Sequence, residues 1–141
     1  MIIKQLSVFL ENRSGKLAEV TESLTKENIN ITALSVADTS EYGILRLVVS
    51  DPDRAAALLK SDGFSVGLTN VICIIMPDKP GALARALRLL SDNGLCIEYM
   101  YAFSMNEKAS AILRVEKLDD AIRILSENEI HLLKASELYS I

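Results

Sequence analysis

Val8-Phe9-Leu10-Glu11-Asn12-Arg13-Ser14-Gly15-Lys16-Leu17-Ala18 and Ile74-Ile75-Met76-Pro77-Asp78-Lys79-Pro80-Gly81-Ala82-Leu83-Ala84 lie 66 residues apart in a chain of 141. In each, a short apolar run ends in a polar loop, and the loop closes on Gly, any residue, Leu. The match extends outward at the same offset. Leu24 falls on Leu90, Ile31 on Ile97, Val49 on Val115, Ala55 on Ala121 and Leu59 on Leu125. A fixed internal period means two copies of one structural unit. The copies take residues 1–70 and 71–141, and each carries a net charge of −2. Ile44-Leu45-Arg46 resembles Ile112-Leu113-Arg114 at an offset of 68, so the register is open by two residues there; such a slip keeps every side chain on its own face.

Within a unit the hydrophobic period alternates. In the first, Leu6 to Leu10 has the length of a strand, and Leu17, Val20, Thr21 and Leu24 recur at helical spacing. Strands are expected over Ile29 to Ala37 and Tyr42 to Val49, with Asp38 to Glu41 as the turn between them. Asp51-Pro52 is a helix start, Asp as N-cap and Pro at the first helical position. Gly63 ends that helix, and Phe64 to Leu68 is the last strand. The second unit repeats the order: strand Val71 to Met76, helix face Leu83, Ala86, Leu87 and Leu90, strands Leu95 to Phe103 and Ala109 to Val115, helix face Leu118, Ala121, Ile122 and Leu125, strand Ile130 to Ala135. The fold class is α+β: two tandem ferredoxin-like βαββαβ units, each an antiparallel sheet with its helices on one face. Val71 to Met76 is apolar at odd and even positions alike, so both its faces are expected to be covered, by this chain or by another. A homodimer is expected on that ground.

Fifteen Lys+Arg against nineteen Asp+Glu, with a pI near 5, oppose nucleic-acid binding, which runs on clustered cations. No secretory signal is expected at the start of the chain, where no apolar run and small-residue cleavage site follow. The longest uncharged run, Phe64 to Pro77, falls short of the roughly 18 residues of a membrane span and reads as buried strands joined by a turn. Cys73 and Cys96 form neither a disulfide framework nor a CxxC site. No membrane contact and a cytoplasmic location are expected. GxSxG, P-loop, HExxH and GxGxxG motifs are absent, and the one histidine, His131, has no partner motif. No catalytic residue, metal or cofactor is expected.

The chemistry sits in the loop before the first helix of each unit. A glycine at a helix start admits close approach of a ligand to the backbone. The free N–H groups of the first turn and the helix dipole favour a carboxylate. Asn12 or Asp78 offers acceptors for an ammonium group, and Arg13 or Lys79 offers positive charge. The plainer reading is a tight turn with a helix cap.

Asp78-Lys79-Pro80-Gly81-Ala82-Leu83, followed by Gly94-Leu95-Cys96-Ile97 at the next strand, and Asn30-Ile31 in the first unit, resemble the ACT domain. Two tandem copies cover essentially the whole chain. The resemblance implies a regulatory module that binds a free amino acid at interfaces between paired domains and modulates a metabolic enzyme in trans. It carries two candidate ligand sites: Asn12, Arg13, Ser14, Gly15, Lys16 and Leu17, and Asp78, Lys79, Pro80, Gly81, Ala82 and Leu83. Asn30-Ile31 or Cys96-Ile97 of a neighbouring unit would close each. Ser14 stands where the family usually has Pro, and Cys96 where it usually has Asn, so one pocket can be complete and the other degenerate. The rival reading is a structural or oligomerisation module that has lost its ligand.

Overall fold

A computed structural model describes residues 1–11, 13–38, 41–105 and 107–140. The elements are β1 (Ile3–Glu11), α1 (Lys16–Lys26), β2 (Ile31–Asp38), β3 (Tyr42–Val49), α2 (Pro52–Ser61), β4 (Ser65–Pro77), α3 (Ala82–Asp92), β5 (Ile97–Met105), β6 (Lys108–Val115), α4 (Leu118–Glu127), β7 (His131–Leu132) and α5 (Ala135–Tyr139). The chain forms two compact units. One is Lys4–Thr69 with the chain from Ser136 onward; the other is Asn70–Ala135 with Met1–Ile3. In the first unit β3 lies between β2 and β1, and β4 follows β1. In the second, β6 lies between β5 and β4, and β7 also pairs with β4. Both are α+β and antiparallel, the tandem βαββαβ arrangement.

Strand alternation puts one row of side chains under the helices. Leu6, Val8 and Leu10 of β1 and Leu45, Leu47 and Val49 of β3 pack with Val20, Leu24, Ala55 and Leu59 in one core. Ile72, Ile74 and Met76 of β4 and Leu113 and Val115 of β6 pack with Ala86, Leu90, Ala121 and Leu125 in the other. The registers resolve the two-residue ambiguity. Leu34 pairs with Leu47 and Asp38 with Gly43; Met100 pairs with Leu113 and Ser104 with Ala109. The offset is therefore 66 throughout, and Arg46 corresponds to Ile112, not to Arg114.

Helix α2 begins as its sequence dictates: the Asp51 carboxylate accepts from the Arg54 N–H at 3.2 Å, with Pro52 at the first position. The four long helices all end in Schellman turns. Two N–H groups beyond each helix reach back to its last turn, as Glu129 N–H to Ser126 C=O (3.2 Å) and Ile130 N–H to Leu125 C=O (2.9 Å) do in α4. The left-handed residue is Asn28 after α1, Gly63 after α2, Gly94 after α3 and Glu129 after α4.

Three expectations change. Phe64–Leu68 and Val71–Met76 are not separate strands: β4 runs unbroken from Ser65 to Pro77. Gly67 and Asn70 are apart in sequence and neither takes a positive φ, so no tight turn forms. The strand expected over Ile130 to Ala135 shrinks to His131–Leu132, and α5 follows. The Tyr139 hydroxyl accepts from the Lys4 N–H at 2.8 Å, the Thr32 hydroxyl donates to the Leu138 C=O at 3.3 Å, and Leu138 is fully buried. Finally, Val71 and Cys73 are fully buried in the single chain, so the two-sided apolar strand needs no second chain to cover it. The turn expected over Asp38 to Glu41 includes residues 39 and 40, outside the described residues.

Candidate functional site

Each Gly-x-Leu loop ends on a glycine that is the N-cap of the next helix. Gly15 has φ 88° and Gly81 φ 91°, a backbone conformation that glycine tolerates and L side chains resist. Neither helix start has a side-chain cap, so first-turn N–H groups remain open to an acceptor. The second loop is braced from both ends. Asp78 N–H donates to the Glu107 C=O in the β5–β6 turn (3.3 Å), and Lys79 N–H donates to the Pro77 C=O (3.0 Å).

Two grooves flank that second loop. One, of about 370 Å³, runs toward edge strand β5, between Asp78, Leu83, Ala102 and Phe103. The other, of about 290 Å³, lies between the start of α3 and the end of α4. Its floor is Met76, Ala86 and Ile130; Lys79, Arg85 and Glu129 stand around it. The Arg85 guanidinium donates to the Asn128 C=O at 3.0 Å, which holds it beside the groove. The Lys79 and Glu129 side chains have no hydrogen bond or ion pair among the described residues.

The first loop has a counterpart groove of about 260 Å³, between Phe9, Lys16, Glu19 and Phe64. Two of its carboxylates, Glu11 and Glu19, have cationic partners. Lys16 Nζ lies 3.4 Å from Glu19 Oε2 and 6.0 Å over the Phe64 ring, a cation–π arrangement. Arg13 Nε lies 2.8 Å from Glu11 Oε2.

The structure thus gathers Arg13, Ser14, Gly15, Lys16 and Leu17 at one helix start and Asp78, Lys79, Pro80, Gly81, Ala82 and Leu83 at the other. Asn12 lies outside the described residues. Asn30-Ile31 and Cys96-Ile97 are not brought to the loop of their own unit. Glu11 meets Tyr42, and Gly43 meets Asp38, so the first loop sits at the far end of β2 from Ile31. Seven residues at 3.3 Å each make that about 23 Å. The Asn30 N–H instead donates to the Ser50 hydroxyl and the Asn30 C=O accepts from the Ser50 N–H, and Ile97 packs on the second core. The second groove also brings Arg85 and Glu129, read from the sequence only as a helix residue and a helix-end charge, beside the loop. Arg85 is one helical turn past Gly81, and Glu129 stands where the first unit has Gly63; both signals were present in the repeat.

His131 is exposed on β7 and pairs with Ile75. Burial pushes the Cys73 thiol up to about 12, while Cys96 is exposed. Among the described residues, no group of three or more His, Cys, Asp or Glu is placed to hold a metal ion, and no helix is long and apolar enough to cross a membrane.

Two βαββαβ units, each with an uncapped glycine at the start of its first helix, define a tandem ferredoxin-like architecture. The chain belongs to the ACT domain pair family, which it matches over residues 1–141. It is similar to protein BT0572 from Bacteroides thetaiotaomicron, at 50% identity and TM-score 0.97 over 100% of this chain and 98% of that one. Two more distant structures share the fold. One is the ligand-free regulatory subunit of aspartate kinase from Thermus thermophilus, at 16% identity, TM-score 0.67, covering 89% and 92%. The other is that subunit from Thermus flavus, at 17%, TM-score 0.63, covering 90% and 94%. No curated protein matches the chain. Membership of this family supports a small-molecule-binding regulatory role.

Proposed function

We propose that the protein senses a free amino acid through its Gly-x-Leu loops and passes the signal in trans to a metabolic enzyme in the cytoplasm, without catalysing a reaction itself. The observation that carries this reading is the uncapped helix start at Gly15 and again at Gly81. Open N–H groups and a positive dipole end suit a ligand carboxylate. Asn12 and Asp78 supply acceptors for its ammonium group. The test is a thermal-shift panel of the twenty amino acids. Ligand at 100 times Kd stabilises by about 2.7 kcal/mol, which is about 5–11 °C at roughly 2–4 °C per kcal/mol. No shift with any of the twenty would refute the reading.

A homodimer completes it. Leu34 and Val36 on edge strand β2, with Leu17 at the start of α1, are exposed at 41–48%, an apolar set that a second copy would cover while supplying Asn30-Ile31 to a neighbouring loop. Light scattering that gives a monomer at micromolar concentration counts against this arm. The same apolar edge favours one alternative, an oligomerisation module without a ligand. It predicts a dimer and a flat thermal-shift panel.

A further inference from the structure

The two grooves beside the Gly-x-Leu loops are the same place in the repeat, yet their charges are reversed. At an offset of 66, Ala82 replaces Lys16, Arg85 replaces Glu19 and Glu129 replaces Gly63. The first groove is acidic, with Glu11, Glu19 and Asp62 on it, and it already holds an ammonium group: Lys16 reaches Glu19 and covers Phe64. The second has a small residue where that lysine would be. It sets the cations Arg85 and Lys79 and the anion Glu129 around an apolar floor of Met76, Ala86 and Ile130.

We infer that each chain has one amino-acid site, the second-unit groove, and that it takes an α-amino acid with an apolar side chain, the first groove already carrying the Lys16 ammonium on its own carboxylate. The inference rests on the amino-acid-sensing reading above. The ligand carboxylate meets Arg85, whose guanidinium is held by Asn128 and keeps donors to spare. The ammonium meets Glu129, which takes this part from Asp78 because Asp78 lines the other groove. The side chain lies on the floor. At about 290 Å³ the groove is at the small end of ligand cavities, roughly 300–1,000 Å³, which suits a single amino acid and not a nucleotide.

Glu129 carries an independent mark. It is the one acidic residue at the left-handed helix-end position, which the first unit fills with Gly63. A strained side chain kept where its sister has glycine points to a use for the side chain.

Isothermal titration of the full chain with leucine, isoleucine, valine and methionine, with aspartate and lysine for comparison, tests the inference. The expected result is one apolar amino acid per chain, weakened tenfold or more by Arg85→Ala and by Glu129→Gln, and unchanged by Lys16→Ala. All four proteins should melt within a few degrees of one another, so lost affinity is not lost fold. Two equivalents per chain, tightest binding of aspartate or lysine, or binding that survives Arg85→Ala and Glu129→Gln but fails in Lys16→Ala overturns the inference and leaves the amino-acid-sensing reading standing. If no amino acid binds the unaltered protein, both fall together.

Discussion

Replacing Glu129 with glycine should make the protein more stable while depriving it of its ligand. Glu129 sits at φ 60° just past α4, exposed, with its backbone in the Schellman turn: its N–H donates to Ser126 C=O and the next N–H to Leu125 C=O. An L residue in this conformation costs about 1–2 kcal/mol. Glycine removes that cost but adds about 0.4–1 kcal/mol of unfolded-chain entropy. The difference, about 0.5–1 kcal/mol, favours Glu129→Gly. A second contribution has the same sign, because an anion beside a helix C-terminus opposes the dipole by about 0.3–1 kcal/mol at low salt. The sum is about 1–2 kcal/mol, or a rise in Tm of about 2–8 °C for a chain of this size. Calorimetry at two salt concentrations measures it and separates the strain from the screened charge. Gly63→Glu, the mirror change, should lower Tm by a similar amount. If Glu129→Gly lowers the Tm, the side chain makes a stabilising contact, its backbone is not under strain, and the reasoning fails.

Three further outcomes can be checked. Asp51→Ala removes the acceptor for the Arg54 N–H and should cost about 0.5–2 kcal/mol, read by urea unfolding with an unchanged m-value. A native chain should show one fast thiol to an aromatic disulfide reagent at pH 8, Cys96. The buried Cys73, held at about 12, should react only on unfolding; two fast thiols would show that the Asn70–Pro77 part of β4 is open. Truncation after Lys134 removes buried Leu138 and the hydrogen bonds that α5 makes to Lys4 and Thr32. It should cost about 2–5 kcal/mol, the range for deleting a buried leucine, and a loss below 1 kcal/mol in urea unfolding would mean the segment is not docked in solution.

What the sequence revealed follows from which residues face inward. Leu6, Val8, Leu10, Leu24 and Leu59, and their counterparts Ile72, Ile74, Met76, Leu90 and Leu125, are core residues. Close packing constrains them, so the period and element order survive in the apolar pattern. The Asp51-Pro52 helix start was equally readable, because its mechanism is local. The length of β4 is not legible, because Gly67 and Asn70 suggest a turn by composition without the adjacency a turn needs. The five residues of α5 are too few to show a helical period, and their anchor is tertiary. The loops were legible as a motif. The charges around them were not, since Arg85, Glu129 and their opposites Glu19 and Gly63 acquire meaning only when folding sets both ends of a unit around one groove.

That division accounts for how two copies of one unit diverge. Strand registers at the two ends of the repeat agree residue for residue, and both loops keep a glycine near φ 90°. Around the grooves the units differ in charge at rim positions that include Lys16/Ala82, Glu19/Arg85 and Gly63/Glu129, three exposed or half-exposed pairs where charge can change without disturbing a core. Two of the three changes in the second unit are neutral to folding: a small residue and an arginine at helical positions are both good helix formers. The third is not. A glutamate in a left-handed turn goes against the backbone rule that Gly63 obeys, and a broken local rule without a packing gain is the kind expected where function, not folding, selects the residue. The rim of the second groove is therefore the less comfortable of the two.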